Sequence, residues 1–307
     1  MTDIAIDTRE LTRRYRGATA LDAVTLSIHA NTITGLLGRN GAGKTTLMSL
    51  LTAQDRPSSG TLRVAGHDPF ERAETIEQLC FVRDNQRYPD DYKLKHAIRA
   101  AAIFYPNWSQ ELADRLIERF RIPTKPVVSK FSRGQLSALG IVLGLASRAP
   151  ITFFDEPYLG LDATARAIFY DELLSDYSAH PRTIILSTHL INEMDRLLER
   201  VIVLEQGRVV RHDDVEELRG GAYQVAGKAA ALDEFLVGRP ALSRRGIGGL
   251  ASAVVNEALT AEARAAAEAA YLDVSAVSLQ DLVAAYGVGD DAAADSTLSP
   301  LTEGSRS

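Results

Sequence analysis

Residues 33 to 51 constrain this chain more than any other stretch. They read Ile-Thr-Gly-Leu-Leu, then Gly38-Arg39-Asn40-Gly41-Ala42-Gly43-Lys44-Thr45, then Thr-Leu-Met-Ser-Leu-Leu. An apolar run enters a glycine-rich turn that opens onto apolar residues at helical spacing, so the pattern predicts strand, turn and helix, the context a phosphate loop requires. Small residues at Gly38, Gly41 and Gly43 let the backbone wrap an anion and aim N–H groups from Gly38 through Asn40 to Lys44 at its β- and γ-phosphates. The helix that follows adds its unpaired donors and the positive end of its dipole. In that reading Lys44 supplies a mobile positive charge, Thr45 places a hydroxyl on Mg²⁺, and Thr46 reaches the α-phosphate.

The rest of the chain must build a sheet around this loop. Hydrophobic residues make up 46%, enough for a large core in 307 residues. With 40 acidic against 34 basic residues and a net charge of -6, composition gives no broad electrostatic case for nucleic acid, and none is expected as a partner. A single cysteine, Cys80, excludes an intrachain disulfide. The N-terminal residues lack the basic, apolar and small-residue order of a signal peptide. The richest apolar region, LSALGIVLGLASRAPITFF, is divided by Arg148 and Pro150, so no uninterrupted run is long enough to span a bilayer.

Residues 1 to 35 alternate short apolar runs with polar turns, which predicts short strands. The helix after the loop is expected to stop before Pro57, and TLRVAG to form another strand. CFV at 80 to 82 reads as a buried strand that ends in the polar run from Arg83 to Tyr92. From Lys93 to Arg121 the period becomes helical, with Ser109 as a cap and Trp108 as core packing. The segment 131 to 148 predicts a polar helix start, then a buried helix. ITFFDEP at 151 to 157 is an apolar strand ending in two carboxylates, about 110 residues after the loop. At the C-terminal end of a central parallel strand, Asp155 and Glu156 are expected to hold Mg²⁺ and handle water. PRTIILSTHL repeats the pattern and brings His189 out on the same edge. No Cys and His spacing forms a structural zinc site.

These elements, in this order, resemble the ATP-binding subunits of ABC transporters, most closely the small soluble ATPases of bacterial ABC-2-type exporters. The resemblance spans residues 3 to 219, roughly 70% of the chain. It implies that Tyr15 stacks on adenine and that Phe131-Ser132-Arg133-Gly134-Gln135 is the signature motif, with Ser132, Gly134 and Gln135 as nucleotide contacts. It also makes Ile151 to Asp155 the Walker B strand, Glu156 the catalytic glutamate, Asp162 the D-loop aspartate and His189 the switch histidine. Two positions depart from the family pattern. Arg133 stands where the family has a glycine close to the opposing γ-phosphate. At the Q-loop, Phe81-Val82-Arg83-Asp84-Asn85-Gln86 leaves two alternatives for the glutamine role at the metal, Asp84 or Gln86 after a register shift. The DNQ–Tyr-Pro run and FYPNW are similar to the YtrB-type branch of Gram-positive bacteria.

The resemblance implies a P-loop NTPase core of ABC ATPase type, an α/β fold with an antiparallel β subdomain and a helical insertion at about 84 to 150. It implies ATP and Mg²⁺ as ligands, and Lys44, Glu156 and His189 as catalytic groups. A second ATPase subunit, identical or paralogous, would complete each site head to tail, and a polytopic membrane permease would hold the protein at the inner face of the cell membrane. A soluble ABC ATPase acting on ribosomes or nucleic acid, and a nucleotide-dependent scaffold, are the alternatives. The first 220 residues are expected to form the ATPase domain and 221 to 290 a small α or α+β accessory region. The polar, proline-interrupted stretch 291 to 307 reads as a disordered tail.

Overall fold

A computed structural model describes residues 3–84 and 86–287, so the tail expected at 291–307 lies outside the described residues. The chain divides into two compact units, one ending at Val215 and one beginning at Glu216. The first unit opens with β1 (Ile4–Tyr15), β2 (Ala18–His29), β3 (Ile33–Leu37), α1 (Lys44–Leu51), β4 (Ser59–Val64), α2 (Ala73–Ile76) and β5 (Leu79–Val82). Three helices follow, α3 (Leu94–Phe104), α4 (Gln110–Arg119) and α5 (Arg133–Ala146). It closes with β6 (Ile151–Asp155), α6 (Ala163–Ala179), β7 (Thr183–Thr188), α7 (Ile191–Met194), β8 (Arg200–Glu205) and β9 (Arg208–Asp214). Helix α8 (Val215–Gly220) lies at the division.

The central sheet has the order β5-β6-β7-β3-β8-β9. Its first five strands are parallel and β9 runs antiparallel to β8. Every residue of β3, β6 and β7 is buried, the result of continuous apolar runs in a parallel sheet covered on both faces. Register decides where the chemistry lies. Leu37 pairs with Thr188, Asp155 with Ser187 and Val82 with Phe154, so these strands end along one edge. Gly38, Asp84, Glu156 and His189 follow from those ends.

A second sheet, β2-β1-β4, is antiparallel. Its Ile6, Leu11, Leu21 and Val24 join Leu36, Leu47, Met48, Phe153 and Ile185 in one core. Each such aliphatic side chain contributes about 1.5–3 kcal/mol by leaving water. The sequence suggests short strands here, but β1 and β2 are 12 residues each. Register shifts along the pair, with positive φ at Glu10 and Ala23, interrupt the alternation, so one bulged strand reads as several fragments.

Helices α3, α4 and α5 form the insertion. Ser109 caps α4 by accepting from the Leu112 N–H. Trp108 is not a core residue as expected: it is half-buried and donates Nε1–H to the exposed Gln110 at 3.0 Å. An indole N–H needs a partner, and the surface supplies it. Helix α5 crosses β5 and β6 so closely that a Cβ on Gly144 would stand 2.5 Å from Phe154. Buried carboxylates on α6 are paired, Glu172 with Arg115 and Arg119, and Asp176 with Arg148 and Arg182, as buried charges must be.

The second unit holds β10 (Tyr223–Lys228), α9 (Ala229–Phe235), β11 (Ala241–Ile247), β12 (Leu250–Val255), α10 (Ala261–Ala269), β13 (Asp273–Ala276) and α11 (Leu279–Gly287). The strand order β11-β12-β10-β13, all antiparallel, is the split β-α-β arrangement of ferredoxin-like sheets. Tyr223, Val225, Ala251, Ala253 and Val255 alternate onto one face, where Leu232, Phe235, Ala263 and Ala267 cover them.

Candidate active site

Gly38 leaves β3 at φ +144, and a Cβ there would meet the Leu204 carbonyl oxygen at 2.3 Å. Gly43 stands at φ +106, with the Ala20 carbonyl 2.6 Å from where its Cβ would be. Only glycine fits either place. Gly43 is the N-cap of α1 and no side chain bonds to the first turn, so its backbone donors are free to face an anion. The exposed Asn40 and Gly41 form the outer part of the loop, and Thr46 is half-buried in the first turn of α1.

Lys44 is only 6% exposed and donates Nζ–H bonds to the carbonyls of Gly38 at 2.8 Å and Arg39 at 3.2 Å. Burial pushes its pKa below the usual lysine range, while the carboxylates of Glu156 and Asp155 pull it back up. The ammonium thus curls inside a loop built for an anion. Thr45 Oγ1 donates to Asp155 Oδ2 at 2.8 Å, and Ser187 Oγ donates to Asp155 Oδ1 at 2.6 Å. The Glu156 N–H donates to the same Ser187 oxygen at 2.9 Å. Ser187 therefore joins the two carboxylate positions through one hydroxyl.

Glu156 adopts φ +47, a costly conformation for a residue with a side chain. Its Oε1 lies 4.0 Å from Lys44 Nζ and its Oε2 lies 3.2 Å from His189 Nδ1. That nitrogen also stands 3.1 Å from the Tyr158 hydroxyl, which accepts the His189 backbone N–H at 2.9 Å. Burial raises the Tyr158 pKa to about 12, so the phenol stays protonated. It fixes the histidine without adding charge.

Thr45, Arg83, Asp84, Asp155, Glu156 and Leu159 line a cavity of about 190 Å³ at these strand ends. Gln86 is exposed and does not line it. A larger depression of about 480 Å³, bordered by Arg56, Arg63 and Phe70, lies on the antiparallel sheet and shares no residue with the edge. Tyr15 is 45% exposed outside the cavity, its hydroxyl 2.6 Å from Asp55 and one ring face under the Arg13 guanidinium at 4.5 Å. Ser132 caps α5 reciprocally with Gln135, each backbone N–H donating to the other's side-chain oxygen, at 2.9 and 3.3 Å. Neither they nor Gly134 line the cavity of their own chain. Asp162 likewise caps α6 by accepting from the Ala165 N–H at 2.7 Å.

The oxygen donors of Thr45, Asp155, Asp84 and Glu156 suit a hard cation such as Mg²⁺. Among the described residues no three His, Cys, Asp or Glu side chains form a metal cage. Mg²⁺ characteristically takes one or two carboxylates and completes its shell with water and substrate phosphates.

The sequence profile of the ABC transporter family matches residues 21–159, from β2 through the loop to the cavity's Glu156 and Leu159. An uncharacterized ABC transporter ATP-binding protein of Bacillus subtilis, YcbN, is 30% identical over 230 residues, covering 70% of this chain and 71% of its own. The chain belongs to the ABC transporter ATP-binding proteins. This ABC subunit is also 27% identical over 214 residues to the ABC transporter ATP-binding protein YtrB of Bacillus subtilis, 70% of one chain and 73% of the other. A solved ATP-binding subunit of an ABC transporter shares its P-loop ATPase fold, with a TM-score of 0.63 at 23% identity over 70% of this chain and 92% of that one. Among its described residues no helix is long and apolar enough to cross a membrane.

Arg83, Ser187 and Tyr158 belong to this ABC subunit's site, yet the sequence assigns none of them a role. Ser187 is visible only as part of the Ser-Thr-His strand end; its position opposite Asp155 needs the parallel register. Tyr158 reads as a turn residue, and nothing local marks it as the histidine's partner.

Proposed function

We propose that this ABC subunit hydrolyses ATP in head-to-tail pairs and that closure and reopening of the pair drive a membrane permease that exports its substrate. The observation that carries the reading is Glu156, held at positive φ between Lys44 and His189 and beside the Thr45–Asp155 pair. A carboxylate placed there takes a proton from a water whose oxygen attacks the γ-phosphorus; the bond to the β,γ-bridging oxygen breaks, and ADP and phosphate leave. Lys44 balances the phosphate charge, and His189, fixed by Tyr158, holds the water or γ-phosphate in line. Thr45, Asp155 and Asp84 would hold Mg²⁺, which would offset negative charge on the nucleotide. Tyr15 stacks on adenine once Arg13 yields a ring face or on the face it leaves open.

Pairing is supported by Ser132, Gly134 and Gln135 lying outside their own chain's cavity, at a helix N-terminus suited to the phosphate of a second chain. ATP then favours the closed pair through contacts that exist only there. Residues 84 to 150 dock on the permease, which holds the subunit at the inner membrane face. Export, and a YtrB-like branch within it, rest on sequence resemblance to the ABC-2-type ATPases. Residues 221 to 290 act as an accessory domain to the ATPase at 1 to 220. Purification from native membranes tests transport: a co-purifying polytopic membrane protein supports it, and ribosomes or nucleic acid without such a protein reject it.

A further inference from the structure

Arg133, which departs from the signature pattern, touches Asp84, one of the two alternatives for the Q-loop position. Arg133 Nη2 lies 2.9 Å from Asp84 Oδ2, and its Nε lies 3.4 Å from Oδ1, a two-point ion pair between segments 49 residues apart. Asp84 also lines the cavity with Thr45, Asp155 and Glu156. Arg133 is the first residue of α5, and that helix start is docked on the turn after Glu156. Ser137 Oγ donates to the carbonyl of Leu159, itself a cavity residue, and a Cβ on Gly134 would stand 2.4 Å from the Gly160 carbonyl. The guanidinium is thereby held at the rim of its own chain's nucleotide cavity.

Stability does not account for the pair. Its side chains are 60% and 32% exposed, and ion pairs so open to water contribute little. Nor does the neighbouring cation substitute for Arg133: the Arg83 guanidinium bonds Gln54 at 2.8 Å and lies 5.4 Å over the Phe81 ring. One carboxylate at the edge of a metal-nucleotide cavity thus has a resident cation already bound. Two cations cannot both approach it closely without repelling each other.

We propose that Arg133 holds Asp84 in reserve, and that arrival of Mg²⁺ with the nucleotide transfers Asp84 from Arg133 to the metal's oxygen shell, freeing the guanidinium. Arg133 is in this sense a positioning residue for the metal site of its own chain. The inference rests on the nucleotide reading above. It also makes the two departures from the family pattern a matched pair: an acid in place of a neutral amide at the metal, and an arginine that occupies the acid until the metal is present.

The test is calorimetric titration of the full-length chain with ATP, once with Mg²⁺ and once with EDTA, using hydrolysis-deficient Glu156→Gln as the common background. The ratio of the two affinities isolates the metal's contribution. Arg133→Ala is expected to raise this ratio at least about threefold, and Asp84→Asn to lower it, while Arg133→Ala added to Asp84→Asn leaves it unchanged, as coupled sites require. The swapped variant Asp84→Arg with Arg133→Asp keeps an ion pair but removes the metal oxygen and brings a cation to the cavity, so its ratio should fall to that of Asp84→Asn or below; a ratio at the starting value would overturn the latch and leave the pair a purely structural one. Equal ratios in the starting protein and Arg133→Ala, or the same effect of Arg133→Ala with and without Asp84, would overturn the latch. Failure of the starting protein to bind ATP under either condition would instead overturn the nucleotide reading itself.

Discussion

The two sheets at the heart of the two units treat polar groups in opposite ways. In the first, Lys44, Asp155, Ser187 and Thr188 are buried, and all gather where parallel strands end. In the second, the core between sheet and helices contains Tyr223, Val225, Leu232 and small alanines, and charges sit outward in pairs such as Arg244–Asp233 and Arg239–Glu257. Tyr223 sends its one polar atom to Glu257 at 2.8 Å. Burying a charge is costly unless partners or a ligand compensate. Elsewhere in the first unit buried charges have fixed partners, Glu172 with Arg115 and Arg119 and Asp176 with Arg148 and Arg182, whereas Lys44 at the edge lies against carbonyls and 4.0 Å from Glu156, so that edge is read as a site and the second sheet as packing.

Substitutions should separate the two along that line. Glu156→Gln is expected to cut ATP turnover by at least roughly a hundredfold, the scale of a lost general base, with ATP binding intact; equal rates for variant and parent would remove Glu156 from the chemistry. Leu232→Ala should destabilise the second unit by about 2–5 kcal/mol, seen as faster exchange of the β10 and β12 amides, without changing ATP affinity. If affinity fell with it, the division between working edge and packed sheet would be wrong.

Lys44→Ala should weaken ATP binding about tenfold to a hundredfold, a charged hydrogen bond's worth. A pH series sharpens this. Because burial depresses the Lys44 pKa, the nucleotide-free fold binds fewer protons than the unfolded chain between that value and the ordinary lysine range, and its stability rises with pH across that window. A triphosphate beside the ammonium raises the pKa again. ATP binding at alkaline pH should therefore take up protons and weaken as pH rises, and calorimetry in buffers of different ionisation heat should register that uptake in the parent but not in Lys44→Ala. The smallest effect is expected in the second unit, where Thr260→Ala removes the cap that accepts from the Ala263 N–H and costs about 1 kcal/mol.

Legibility in the sequence follows the same division. The phosphate loop, Asp155 and Glu156 are readable because phosphate chemistry demands particular residues at particular spacings, and the β3–loop–α1 order follows from residues 33 to 51 alone. Ser187 and Tyr158 escape because their roles come from strand register and a turn that returns beneath His189, both tertiary facts. The Asp84–Arg133 contact joins positions 49 residues apart that the sequence presents as two unrelated oddities. For the second unit the alanine-rich stretch at 258 to 271 reads as helix and leaves α and α+β both open, because strand order depends on which edges pair and no local residue records that. Bulges hid the length of β1 and β2 for the same reason: an inserted residue shifts the alternation by which a strand is recognised.

In the function proposed here each working site is shared, with Lys44 and Glu156 from one chain and the start of α5 from another. Mixing two inactive variants tests this most directly. Lys44→Ala disables the cavity, and Ser132→Arg, at an exposed cap, blocks the face offered to the partner. Each alone should hydrolyse ATP at background rate. Mixed in equal amounts they form pairs in which one of the two shared sites is wholly intact, and about a quarter of the parent rate should return from random head-to-tail pairing. Background rate in the mixture, with exchange of chains verified by differently labelled subunits, would contradict a shared site and leave each chain to work alone.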